Sequence, residues 1–244
     1  MNKFVGFIFF STVVISQARA NDAFCPPGNN KALQKIELGK IIESPKCFKR
    51  QGDESNEAIA DKNQLTDFEV LARLAFAEGI STNMEKCEKY GESIFESIAW
   101  GVHNRVELTK SNPKWEKSFG KGYRGVIFKK AQFNPAVSKK STYSTLFLCP
   151  TEHPLWKVYW QHATEAANKV VTAPDENPFL KGPKTNGVSA VTHFYYPQSS
   201  QATNPPVDWA NLTKTKAKNA YVKNIKVNGS TFSNECVQFF SYAK

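Results

Sequence analysis

The run LTDFEVLARLAFAEG, from Leu65 to Gly79, constrains the fold more than any other stretch of the chain. Phe68, Leu71, Ala72 and Ala75 recur at helical spacing, so the segment is predicted to be a helix whose apolar face needs other elements to cover it. Thr66 precedes it as an N-cap, with Glu69 at the capping-box spacing, and Gly79 is the expected stop. Glu78 lies one helical heptad after Leu71 and one turn after Leu74, at the border of the apolar face. A carboxylate there is either a solvated charge near a helix end or a group held out of water to do acid chemistry.

Two further helices are predicted. In ESIFESIAWGVHNRV, the residues Ile94, Ile98, Gly101, Val102 and Arg105 fall on one stripe, and Gly101 is expected to let another helix come close. In PLWKVYWQHATEAANKVV the buried face is read as Leu155, Val158, Tyr159, His162, Ala163, Ala166 and Val170. Between them Gly120, Gly122 and Gly125 mark a loop. Later, VSAVTHFYYP is β-prone, and Asn228-Gly229 signals a hairpin. The expected fold is therefore α+β and mainly α, a helical body with a small β element towards the C-terminus. With 244 residues the chain can form one sizeable core. That core is expected over 63–244, preceded by a polar N-terminal arm, 21–62, pinned by Cys25 and Cys47.

The first twenty residues carry Lys3, an uncharged apolar run from Phe4 to about Ile15, and Ala18-Arg19-Ala20 as a cleavage site. They read as a secretory signal peptide cut after about Ala20, since the apolar run is shorter than the roughly 20 residues that span a bilayer. The product is expected to be secreted or periplasmic, without stable membrane insertion. Cleavage leaves 30 basic against 22 acidic residues, a net charge of +8. Such a surface favours an anionic partner without choosing among nucleic acid, membrane and wall polymer. The cysteines, Cys25, Cys47, Cys87, Cys149 and Cys236, are widely spaced and contain no Cys-x-x-Cys pair. In an oxidising compartment they point to disulfides with at least one thiol unpaired or paired between chains, and not to a zinc motif.

The segments LARLAFAEG, SIAWGVHNRV, GYRGVIFKKAQFNPA, THFYYP and DWA follow one another in an order that resembles the cell wall hydrolase family typified by the spore-cortex-lytic enzyme. The resemblance runs from about Leu65 to Ala210. It implies a lysozyme-like helical body and a peptidoglycan glycosidase that cleaves the MurNAc-GlcNAc backbone as a lytic transglycosylase or a muramidase. It also implies that Glu78 is the catalytic residue, that Asn104 and Arg105 form the second-helix motif, and that Gln132, Phe133 and Phe194 to Pro197 belong to the site. Two features depart from the family pattern. The segment GISTNMEKCEKYGES is longer than usual, and Gly229-Ser230-Thr231-Phe232 stands where the family often has a histidine.

The chemistry of the residues points the same way. A leaving glycosidic oxygen needs a proton, and a carboxyl supplies one near neutral pH only if its pKa is raised. Apolar neighbours at Leu71 and Leu74 would do that for Glu78. No second acid stands out: Glu69 falls on the opposite side of the helix, and Glu85, Glu88, Glu92 and Asp208 read as surface acids, so a one-carboxylate mechanism is expected. Phe133, Tyr195, Tyr196 and Trp209 are candidate sugar-stacking surfaces, with Gln132 and His193 as hydrogen-bonding groups. The expected partner is the glycan strand of peptidoglycan, bound by a monomer with no metal, no cofactor and no nucleic acid. The alternatives are a secreted basic nuclease using the His103-Asn104-Arg105 triplet, or a wall-binding module without catalysis.

Overall fold

The structure, a computed structural model, describes residues 44–82, 87–199 and 202–242. The signal-peptide reading and Cys25 lie outside the described residues.

Helix α1 (Asn56–Lys62) leads into α2 (Asp67–Ser81), which Thr66 caps by accepting a hydrogen bond from the Glu69 amide at 3.1 Å. Every residue of α2 from Phe68 to Ala77, Glu69 excepted, is buried, so the helix is apolar on all sides and forms the axis of the body. It packs against α3 (Gly91–Ser111), α7 (Thr142–Leu148) and α8 (Trp156–Thr172). Gly79 does not stop α2, which runs on to Ser81. Its missing side chain makes room for a neighbour instead, because a Cβ there would lie 2.5 Å from the Phe95 ring of α3. The one charge inside this axis, Arg73, is fully satisfied. It bonds Glu69 and donates to the carbonyls of Lys46, Phe147 and Leu148. It thereby satisfies terminal carbonyls of α7 and holds the 44–50 strand of chain against the body.

The second and third predicted helices are α3 and α8, and α8 buries the predicted Ala163, Ala166 and Val170 but departs from the reading at its start. Leu155 and Val158 are 55% and 52% exposed, and Trp160, Thr164 and Ala167, which the spacing did not include, turn inward. Gly101 does not meet a helix. The Phe194 ring fills its place, 2.7 Å from where a Cβ would stand. The glycine-marked loop between the helices is largely helical, in short pieces α4 (Glu116–Phe119), α5 (Gly122–Ile127) and α6 (Asn134–Val137).

The β element is antiparallel throughout. Strands β1 (Lys184–Thr185) and β2 (Val188–Ser189) form a hairpin, and β3 (His193–Tyr195) pairs with β7 (Gln238–Phe240), which also pairs with β4 (Tyr221–Val222) behind α9 (Thr215–Ala220). The register sets His193 opposite Phe240. The predicted hairpin forms as β5 (Lys226–Val227) and β6 (Ser230–Thr231), turning through positive φ at Asn228 and Gly229. The molecule is thus α+β and mainly α.

Two disulfides join distant parts of the chain. Cys47 pairs with Cys149, not with Cys25, because the arm is folded back against the end of α7. Cys87 pairs with Cys236 and ties the approach to α3 to the strand that follows. No described helix is long and apolar enough to cross a membrane.

Candidate active site

Glu78 sits in the last turn of α2, where its side chain opens into a cavity of about 630 Å³. All seven residues singled out in the sequence line this cavity: Glu78, Gln132, Phe133, His193, Tyr195, Tyr196 and Trp209. They arrive from four parts of the chain, and α3 brings them together. Asn104 donates to the Val191 carbonyl at 2.7 Å and Arg105 to the Thr192 carbonyl at 2.7 Å, so the Asn-Arg pair fastens the chain just before β3 over the C-terminal end of α2. Asn104 is held in turn by Asn177. Phe194, seated on Gly101, fixes the depth of the strand.

Glu78 is half-buried by surface area, open only towards the cavity, with protein packed around the rest of it. Desolvation pushes its pKa from 4.5 to about 7, against the opposing pull of the Arg105 guanidinium. Arg105 lies beneath the cavity wall, 4% exposed, and burial lowers it to about 10, so it remains a cation. Its Nη1 donates to Gln132 Oε1 at 2.5 Å, and its guanidinium lies 4.6 Å from the Phe133 ring centre. It is thus a buried structural partner, and it also sets the field at Glu78.

The aromatic residues divide into floor and rim. Phe133 is 1% exposed and Tyr196 is 6% exposed, so both form the floor and offer little face for stacking. Burial and the neighbouring Glu78 raise the Tyr196 phenol well above its ordinary value. Its hydroxyl forms no hydrogen bond among the described residues, and the Ser97 hydroxyl beside it is donated to the Ile94 carbonyl. At the rim, Trp209 is 38% exposed and stands edge-on to the half-buried Tyr195, ring centres 5.9 Å apart. His193 is enclosed by Phe119, Trp209 and Tyr242 and touches Thr192 Oγ1 through Nδ1 at 2.9 Å. Burial and the nearby Arg105 charge lower it to about 3, so it is a neutral hydrogen-bonding group at working pH.

Sequence reasoning missed Tyr242 and Lys216, which close the far side of the cavity. The alternation in QFFSYAK could have found Tyr242, since it follows Phe240 by two residues and Phe240 faces His193. Among the described lining residues Glu78 is the one carboxylate. Glu69 is turned away into its pair with Arg73 at 2.8 Å, and Glu85 lies outside the described residues. His103 does not reach the cavity. It is 4% exposed, joined to the Tyr123 hydroxyl at 2.7 Å and lowered to about 4 by burial, which takes from the nuclease reading its candidate base. The four described cysteines are all in disulfides, so none of them is a nucleophile.

The arrangement can deliver a proton from one carboxyl to an atom held in an aromatic-walled trench, beside a fixed cation that stabilises the anion left behind. No family model matches the chain, and neither does any curated protein or solved structure with which it was compared.

Proposed function

We propose that this protein is an exported glycosidase of peptidoglycan, with Glu78 as its single acid and base. The observation that carries the reading is the pKa of about 7 at Glu78, on the floor of a cavity whose rim exposes Tyr195 and Trp209. A carboxyl poised near neutral pH is matched to giving a proton and then taking one back. Flat aromatic faces beside neutral hydrogen-bonding groups suit the alternating apolar faces and hydroxyl edges of a sugar. The motif order that resembles the spore-cortex-lytic family, two disulfides and a basic surface support an exported enzyme working on an acidic wall polymer.

In the proposed reaction the Glu78 hydroxyl protonates the glycosidic oxygen as the bond from that oxygen to the anomeric carbon breaks. The oxygen of the sugar's own 6-hydroxyl then bonds to the anomeric carbon, and its proton passes to the Glu78 carboxylate. The acid is thereby restored and the glycan keeps an anhydro end. With no second carboxylate among the described lining residues, the internal nucleophile is preferred over a paired-acid route. Arg105 stabilises the carboxylate between the two proton transfers.

The test is the clearing of a purified peptidoglycan suspension by the wild type and by Glu78→Gln. The wild type is expected to clear it and to leave anhydro ends by mass. The variant is expected to be slower by about 100-fold or more, the usual contribution of a general acid. Equal clearing by the two proteins would remove Glu78 from the mechanism, and binding without clearing by the wild type would favour a wall-binding module.

A further inference from the structure

Away from the cavity, α3, α8 and the β5–β6 hairpin enclose an open depression of about 210 Å³. Glu92, His162 and Glu165 meet there, each with a donor atom within 4.8 Å of the others. The first belongs to the N-terminal turn of α3, and the other two lie on one face of α8 at a spacing of i, i+3. Glu92 stands thirteen residues before Arg105 on the same helix, which puts the depression about 20 Å along the axis from the cavity.

Three observations set this group apart from an ordinary solvated face. The His162 Nδ1 atom is buried and has no hydrogen-bond partner among the described residues, although it lies 4.0 Å from a Glu92 carboxylate oxygen. Neither Glu92 nor Glu165 has a Lys or Arg within ion-pair distance among the described residues, in a chain whose net charge is +10. Lys169 lines the same depression but is held by Glu96 at 3.0 Å, Glu176 at 3.7 Å and Asn228 Oδ1 at 3.1 Å. The positive end of α3 accounts for one carboxylate beside it, but not for a pair converging on an unpartnered imidazole nitrogen. The His162 ring is already oriented, tilted against Phe95 with ring centres 5.8 Å apart.

We propose that Glu92, His162 and Glu165 form a binding site for a divalent transition-metal ion of the zinc class, fastening the start of α3 to the middle of α8. One imidazole nitrogen with two carboxylate oxygens is a donor set for such an ion and not for calcium or magnesium, which take oxygen alone. Bonds of about 2.0–2.2 Å bring tetrahedral ligand atoms to about 3.3–3.6 Å of one another, so closing on the ion asks each side chain to move by about 1 Å. Water completes the shell on the exposed side. The site is structural, and no step of the proposed reaction passes through it.

The test is equilibrium dialysis of metal-stripped, tag-free protein against zinc, with cobalt as a spectroscopic replacement. The wild type is expected to retain one equivalent of zinc, and His162→Ala and Glu165→Gln are each expected to weaken binding tenfold or more. Glu165 is at the surface and His162 is partly buried against Phe95, so circular dichroism is recorded for both variants, and Glu165→Gln is expected to match the wild type. Bound cobalt is expected to show a tetrahedral spectrum without a thiolate charge-transfer band. No retained zinc, or retention unchanged in both variants, would overturn the proposal. A thiolate band would overturn it as well, by placing the ion on Cys25. Peptidoglycan clearing is read separately in Glu165→Gln and is expected to persist, so a failure here leaves the reading of Glu78 standing.

Discussion

Glu78 keeps its proton because water is kept from it on every side but one, and Arg105 moderates the effect without reversing it. A carboxyl whose pKa is raised by folding binds its proton more tightly in the folded chain than in the unfolded one. Its ionisation therefore weakens the fold progressively as pH rises from 4.5 to about 7, and the full cost is present above that. The interval corresponds to about 3 kcal/mol at 1.36 kcal/mol per pH unit. Glu78→Gln removes this cost. Urea denaturation is expected to find the variant more stable than its parent by up to about 3 kcal/mol above pH 7, with the gap closing below pH 4.5. A variant that is less stable than the parent across that whole range would contradict the burial argument.

Helix α2 carries Glu78 to its place, and Gly79 sets how closely the helix lies on α3. In an open helix Gly→Ala gains about 1 kcal/mol. Here the added carbon would meet Phe95, itself wedged against Tyr159 and His162, and overpacking costs about 1–3 kcal/mol. Gly79→Ala is expected to lower the denaturation midpoint, and adding Phe95→Leu to recover part of the loss. A more stable Gly79→Ala would mean the contact is not as tight as described. The existence of α2, α3 and α8 was legible because their apolar spacing is strong, and so was the Thr66 cap. The buried face of α8 was legible from Ala163 to Val170 but not at its start, because WKVYW is apolar on both sides of the helix and period alone cannot say which side is covered. The role of Gly101 was half legible. A missing side chain signals a close neighbour, but not whether that neighbour is a helix or the ring of Phe194. Tyr242 was legible only as the alternate residue after Phe240, without the β-pairing that brings that strand to the cavity, and Lys216 carried no signal.

At the scale of the molecule, the trench is built from segments more than a hundred residues apart, so its floor holds only while the chain as a whole is held. The Cys87–Cys236 bridge closes 149 residues and joins the approach to α3 with the approach to β7. Its removal in Cys87→Ala with Cys236→Ala is expected to cost about 2–5 kcal/mol, measured by urea denaturation under oxidising conditions. No loss would mean that helix packing alone fixes the β element. The combined effect of helices, sheet and bridges is to make one carboxyl poorly solvated, and that effect can be observed without any substrate. Carbon-13 NMR titration of the glutamate carboxyls, with Glu78 assigned by its absence in Glu78→Gln, is expected to show it titrating near pH 7. A midpoint near 4.5, the value of a solvated glutamate, would contradict the account.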